Sequence, residues 1–158
     1  RKVAKIRDRR MRVDLHETIP SILDANPHVT SGVDVTTTIP DGAAVRANPM
    51  IEQAIDELVT NAITHNTSDS STVTIEVTTD SDRDRMTTVR IVDDGPGMPE
   101  AEMAAIRDGE TAPLHHLSGM GLWFVDWVVI HSDGDMKVSD AEGGGTEIRL
   151  RLPSADPS

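Results

Sequence analysis

The 158-residue chain has no cysteine, no tyrosine, one phenylalanine and two tryptophans. Without thiols there are no disulfides, no thiolate nucleophile and no cysteine-based metal site, and the redox compartment is left open. Positive charge is also scarce. Lysine occurs only at positions 2, 5 and 137, and 15 basic against 27 acidic residues give a formal charge of −12 and a pI near 4.7. Affinity for a phosphate backbone rests on Lys and Arg, so this balance argues against nucleic acid and acidic lipid as partners. Such acidity looks like the composition of proteins from salt-accumulating microbes, where salt screens the self-repulsion of the surface. Long hydrophobic runs are missing too. The longest, Leu122 to Ile130, is interrupted by Asp126 and falls far short of the ~20 residues of a membrane span. The fragment is expected to be soluble and cytoplasmic. It opens on Arg1-Lys2 without a signal-peptide pattern, so it reads as a piece of a longer protein whose anchor, if it has one, lies upstream.

A chain of this length makes one domain with a proper core. Residues 1–12 alternate basic and apolar side chains and read as the end of a helix or a linker; 13–153 form the domain, and 154–158 a disordered tail. Asp14 to Ala25 is a helical candidate that stops at Asn26-Pro27. Short strands are expected around Val33 to Ile39 and Ala43 to Arg46, parted by Pro40-Asp41-Gly42. Asn48-Pro49 then starts the clearest helix, an N-cap residue followed by proline at a position whose missing N–H costs nothing. Ile51, Ala54, Ile55, Leu58, Val59 and Ala62 share its apolar face, and Glu57, Asn61, Thr64 and His65 lie along the border. Thr72 to Thr78 and Val89 to Asp93 alternate as strands. Pro99 to Arg107 reads as a short helix and Glu110 to Ser118 as an irregular stretch carrying His115 and His116. Leu122 to His131 suggests a helix against a sheet, and Met136 to Val138 pairs with Thr146 to Leu152 as a hairpin.

Two polar residues fall on apolar strand faces. Asp93 shares its parity with Val89 and Ile91, and Thr146 shares its own with Ile148, Leu150 and Leu152. A core-facing carboxylate must be satisfied, either by a ligand or by capping the turn at Asp94-Gly95. In an apolar pocket it would accept a hydrogen bond from an exocyclic amine, favouring adenine over guanine, and Thr146 would assist directly or through water. Gly95 and Gly97, and again Gly119 and Gly121 ahead of the apolar helix, allow the backbone to approach a phosphate at a helix N-terminus. Asn61 stands mid-helix, where asparagine is mildly unfavourable. Its carbonyl oxygen suits Mg²⁺, and Glu57 one turn earlier would order a metal-bound water or act as a base. Taken alone, both remain compatible with ordinary helix-surface residues.

Four segments in this order, Glu57 to Ala62, Asp93 to Gly97, Gly119 to Leu122 and Gly144 to Thr146, resemble the nucleotide-binding boxes of the Bergerat-type (GHKL) ATPases. The closing stretch Gly145 to Pro153 looks specifically like sensor histidine kinases, here with the acidic composition of those of halophilic archaea. The resemblance implies a two-layer α/β sandwich with a mixed sheet and helices on one face, holding ATP and Mg²⁺ under a lid. It implies adenine binding by Asp93 and Thr146, with Gly95, Gly97, Gly119, Met120, Gly121 and Leu122 around the nucleotide. Asn61 and Glu57 become the Mg²⁺ and catalytic pair. Thr64 replaces a commonly found lysine, so His65 or an arginine is expected to take its phosphate contact. No phenylalanine occurs between Gly97 and Gly119, so Leu114 or Leu117 fills the usual aromatic place.

The implied function is the catalytic domain of a two-component histidine kinase, homodimeric when intact. It would transfer the γ-phosphoryl group to a histidine on an upstream dimerisation domain, from which a response-regulator receiver domain takes it. His16-Glu17 is a poor acceptor motif, short in its spacing to Pro20 and outside any helical hairpin. The rival readings are an anti-sigma-type serine kinase and an ATP-gated interaction module without phosphoryl transfer.

Overall fold

Alternation of β-branched with polar residues builds the central sheet of the computed structural model, which describes residues 10–25, 33–64, 71–80, 85–95, 121–142 and 144–155. In chain order the elements are β1 (Met11–Asp14), α1 (Leu15–Ala25), β2 (Val33–Thr38), β3 (Ala44–Ala47), α2 (Ile51–Thr64), β4 (Ser71–Thr79), β5 (Met86–Asp93), α3 (Gly121–Ile130), β6 (Asp135–Asp140) and β7 (Thr146–Pro153). The main sheet has five strands in the order β2-β4-β5-β7-β6. It is mixed, because β2 runs parallel to β4 and every other neighbour is antiparallel. β1 and β3 form a separate antiparallel ribbon.

The sheet's period of two sorts its side chains. Val73, Ile75 and Val77 on β4, Val89 and Ile91 on β5, and Ile148, Leu150 and Leu152 on β7 are all buried on the face that carries the helices. Ile55, Leu58 and Val59 of α2, Val125, Val128 and Val129 of α3, and Leu15 and Ile19 of α1 complete this aliphatic core. The opposite face is polar and cross-linked. Glu147 accepts from Arg90 Nε at 2.9 Å and from Arg149 Nε at 2.6 Å, while Arg90 also reaches Glu76 at 3.4 Å. Two layers with helices on one face are the architecture expected from the sequence.

The helix starts follow from local chemistry. Asp14 Oδ1 accepts the amide of Glu17 at 3.2 Å and caps α1. Asn48 Oδ1 accepts the amide of Met50 at 2.9 Å, and Pro49 lies in the turn that leads into α2, two residues ahead of Ile51 rather than at the first helical position expected for it. Asn48 has a second use. Its own amide donates to the fully buried Ser132 Oγ at 2.9 Å, and that hydroxyl donates to Val128 O at 2.8 Å. One serine thus ties the end of α3 to the start of α2. Phe124, two turns earlier on α3, lines a cavity with Met50, Gln53, Asp56 and Glu57 of α2. The two helices therefore run antiparallel, and the head of α3 lies toward the Glu57–Asn61 part of α2.

Two expectations change at the chain's edges. Met11 and Arg12, read as helix end or linker, are paired with Ala47 and Arg46 in the small ribbon, since tertiary pairing overrides their helix propensity. Arg10 Nη1 bonds Asp133 Oδ2 at 2.7 Å just before that strand. Ser154 and Ala155, expected in the disordered tail, are held in the fold. Ser154 bridges Val45, its amide donates to Arg85 O at 2.7 Å, its hydroxyl meets Thr87 Oγ1 at 2.6 Å, and Ala155 N donates to Ala44 O at 2.9 Å. Composition alone could not reveal these partners. Pro99 to Arg107, His115 and His116 lie outside the described residues.

Ser132→Ala leaves the Asn48 amide without its buried acceptor. It is expected to lower unfolding stability by roughly 1–3 kcal/mol, read from urea denaturation midpoints at unchanged slope.

Candidate functional site

β5 and β7 end the argument about parity. They pair in a register that sets Asp93 directly opposite Thr146, with Val73 beyond Asp93 on β4 and Asp140 beyond Thr146 on β6. Residues directly opposite in an antiparallel pair carry their side chains on the same face, with Cβ atoms roughly 5 Å apart. Asp93 is partly buried and Thr146 nearly fully so, at the end of the helix-covered face. The carboxylate has a structural duty as well. Asp93 Oδ1 accepts the amide of Gly95 at 3.0 Å, closing the turn that the Asp94-Gly95 pair suggested. Capping and ligand binding are not exclusive, because a carboxylate offers about four lone-pair sites.

The next residue reaches the other way. Asp94 Oδ1 accepts the amide of Thr72 on β4 at 3.0 Å. On the far side, Gly145 sits at φ 95° and packs against the same corner. A Cβ there would collide with the Asp93 carbonyl oxygen and lie 2.8 Å from Asp94 Cα. This position tolerates only glycine, both for backbone angle and for space. The quoted segments include Asp94 and Gly145, but sequence reasoning assigned neither a contact of its own in the site. The signal was present in the doubled acid and in the glycine run ahead of Thr146.

Glu57 and Asn61 stand one turn apart on α2, both partly buried, on the border of its apolar face as expected. Glu57 lines the cavity of about 370 Å³ between α2 and α3 together with Met50, Gln53, Asp56 and Phe124. Among the described residues, neither Asp93 nor Thr146 lines it. Gly121 opens α3, where unpaired amides and the helix dipole favour an anion, and Leu122 is buried in the core. Any contact of Leu122 with phosphate would therefore use its backbone. His65, Gly97, Gly119 and Met120 lie outside the described residues. His16, the weak acceptor candidate, is on α1 with its Nε2 at 3.1 Å from Asp41.

A profile of the family described as histidine kinase-, DNA gyrase B- and HSP90-like ATPases matches residues 47–156. The chain belongs to this ATPase family. The match begins at the last residue of β3 and includes α2, β5, α3 and β7. Solved structures share the fold across nearly the whole chain. A mycobacterial sensor histidine kinase, MprB, aligns with a TM-score of 0.76 at 24% identity, covering 94% of this chain and 99% of that one. The ATP-binding domain of PrrB from Mycobacterium tuberculosis aligns at 0.71 with 21% identity, covering 94% and 100%. The catalytic domain of histidine kinase ThkA, in a nucleotide-free form, aligns at 0.71 with 21% identity, covering 91% and 96%. A search of curated proteins gave no match.

Membership makes this an ATPase-type domain. Helix α3 carries one electrostatic oddity. Asp126 of α3 neighbours buried Leu122 and Val129 on successive turns, and desolvation raises its pKa above the ordinary aspartate value. For an acid whose folded pKa is raised, the stabilising contribution is present below the unfolded pKa and is lost as pH rises through the folded one. Asp126→Asn removes that loss. The variant is expected to melt higher than the parent at neutral pH, and the gain should vanish on acidification below the ordinary aspartate pKa, as followed by thermal melts across pH.

Proposed function

We propose that this chain is the ATP-binding catalytic domain of a two-component sensor histidine kinase. In the intact homodimer it transfers the γ-phosphoryl group of ATP to a histidine on an upstream dimerisation domain, and a response-regulator receiver domain accepts the phosphoryl group from there. The observation that carries this reading is the register pairing of Asp93 with Thr146 at the mouth of the helix-covered face. It stands within a domain of the ATPase family and a fold that matches sensor histidine kinase structures almost end to end.

The carboxylate of Asp93 accepts a hydrogen bond from the exocyclic amine of adenine, and Thr146 supports the same edge of the base. Guanine presents a carbonyl there and would leave the carboxylate facing another acceptor. The head of α3, with Gly121, receives the phosphates on its free amides. Asn61 and Glu57 offer two oxygen donors on one helix. Among the described residues no group of three or more acidic or histidine side chains could hold a metal alone. That suits Mg²⁺, which takes most of its ligands from water and phosphate and would supply charge neutralisation there. The bond from the γ-phosphorus to the ADP oxygen breaks as the bond to the imidazole nitrogen forms, and the imidazole proton leaves toward a base, the role assigned to Glu57. His65 takes the phosphate contact of the lysine that Thr64 replaces. Positioning and charge neutralisation supply most of the acceleration.

Calorimetry of the chain in high KCl with Mg²⁺ tests the site. ATP is expected to bind and GTP to bind at least roughly tenfold more weakly, and Asp93→Ala should abolish ATP binding. Equal affinity for the two nucleotides, or an Asp93→Ala variant that binds ATP like the parent, would refute the adenine site.

The acidic composition supports a salt-adapted protein of the kind found in halophilic archaea. A charge of −12 on one domain repels itself unless screened. The melting temperature should climb steadily between about 0.1 M and about 3 M KCl, as the screening length falls below side-chain spacing. A melting temperature indifferent to salt defeats this reading.

A further inference from the structure

The ATP site as read above depends on the direction of the Asp93 carboxylate, which stands at the last residue of a strand beside the turn that follows. Two contacts bracket that turn. On the β4 side, Asp94 Oδ1 accepts the Thr72 amide at 3.0 Å, the position next in register after the Val73–Asp93 pair. On the β7 side, Gly145 presses its bare Cα against the Asp93 carbonyl and Asp94 Cα. The side chain of Asp94 thus continues the β4–β5 ladder by one step after the backbone of β5 has turned away. Gly145, at φ 95°, prevents the corner from relaxing toward β7. The third bond, Gly95 N to Asp93 Oδ1 at 3.0 Å, fixes the carboxylate plane only if the peptide between residues 93 and 95 is itself fixed. That peptide is the one Asp94 anchors.

We propose that Asp94 is a positioning residue for adenine recognition, acting through Asp93: by clamping Thr72 across the sheet it sets the direction in which the Asp93 carboxylate meets the base, with Gly145 as the stop on the opposite side. The inference rests on the ATP-site reading. It assigns Asp94 no contact with the nucleotide. Its carbonyl-type oxygen matters and its charge does not.

The full chain is compared with Asp94→Asn, Asp94→Ala and the reference Asp93→Ala, measuring ATP and GTP affinities by calorimetry, melting temperature, and hydrogen exchange at the Thr72 amide. Asp94→Ala should weaken ATP binding roughly tenfold while GTP binding changes little, so that selectivity narrows, and Thr72 exchange should quicken. Asp94→Asn keeps an oxygen that accepts the same bond and should restore both ATP affinity and Thr72 protection. A purely structural role would lower the melting temperature and shift both nucleotides together. Asp94→Ala with the parent's ATP-to-GTP ratio overturns the proposal, as does an Asp94→Asn variant as impaired as Asp94→Ala. If Asp94→Ala does not fold, Asp94→Glu, which displaces the carboxylate by one methylene and keeps its charge, gives the same reading of selectivity. The outcomes for the site itself stay separate. An Asp93→Ala variant without ATP affinity beside a silent Asp94→Ala sinks only this inference, whereas a folded parent that binds no ATP sinks both.

Discussion

The register between β5 and β7 is the constraint from which everything at the Asp93–Thr146 corner follows. A slip of one residue would carry Val89 and Ile91 to the arginine and glutamate face and remove Asp93 from the side of Thr146. The register is held from both faces. Leu150 and Leu152 are locked among helix side chains. On the outside, Glu147 takes Arg90 and Arg149 together. A ladder of polar bonds on one face and an aliphatic layer on the other leave one alignment in which both are satisfied. The site inherits its geometry from that alignment.

Helix placement is a second, independent layer of specification. Ser132 serves the cap of α2 and the last turn of α3 at once, so the antiparallel relation of the two helices is fixed at one end by a buried hydroxyl. At the other end, glycine opens α3 about one turn before Phe124, which shares a cavity with Glu57 of α2. The Asp93–Thr146 pair and the Glu57–Asn61 pair therefore sit on different supports, the first on strand ends and the second on a helix.

Most of the architecture was legible because period and punctuation agreed. Alternation gave β4, β5 and β7, the Asn48-Pro49 start gave α2, and the parity of Asp93 and Thr146 foretold their shared face before any pairing was known. The unseen parts share a cause. Met11 and Arg12 carry good helix formers, and only the presence of β3 as a partner makes them a strand. Ser154 and Ala155 look like tail by composition, and only the distant Val45, Arg85 and Thr87 hold them. Asp94 and Gly145 stand inside two of the four segments, yet their own contacts were not legible, because a close approach between two strand ends leaves no mark in either strand. Glu57 was found in the right helix, but its place in the cavity with Phe124 depends on how α2 and α3 cross.

The seam formed by Ser154 and Ala155 has a mechanical meaning. These two residues are stitched to β3 of the small ribbon and to the edge of the β5 turn, so they join both sheets of the domain. A pull applied beyond residue 155 would be borne first by these few cross-sheet bonds in shear, and the β7 strand that presents Thr146 would feel the load only after they parted.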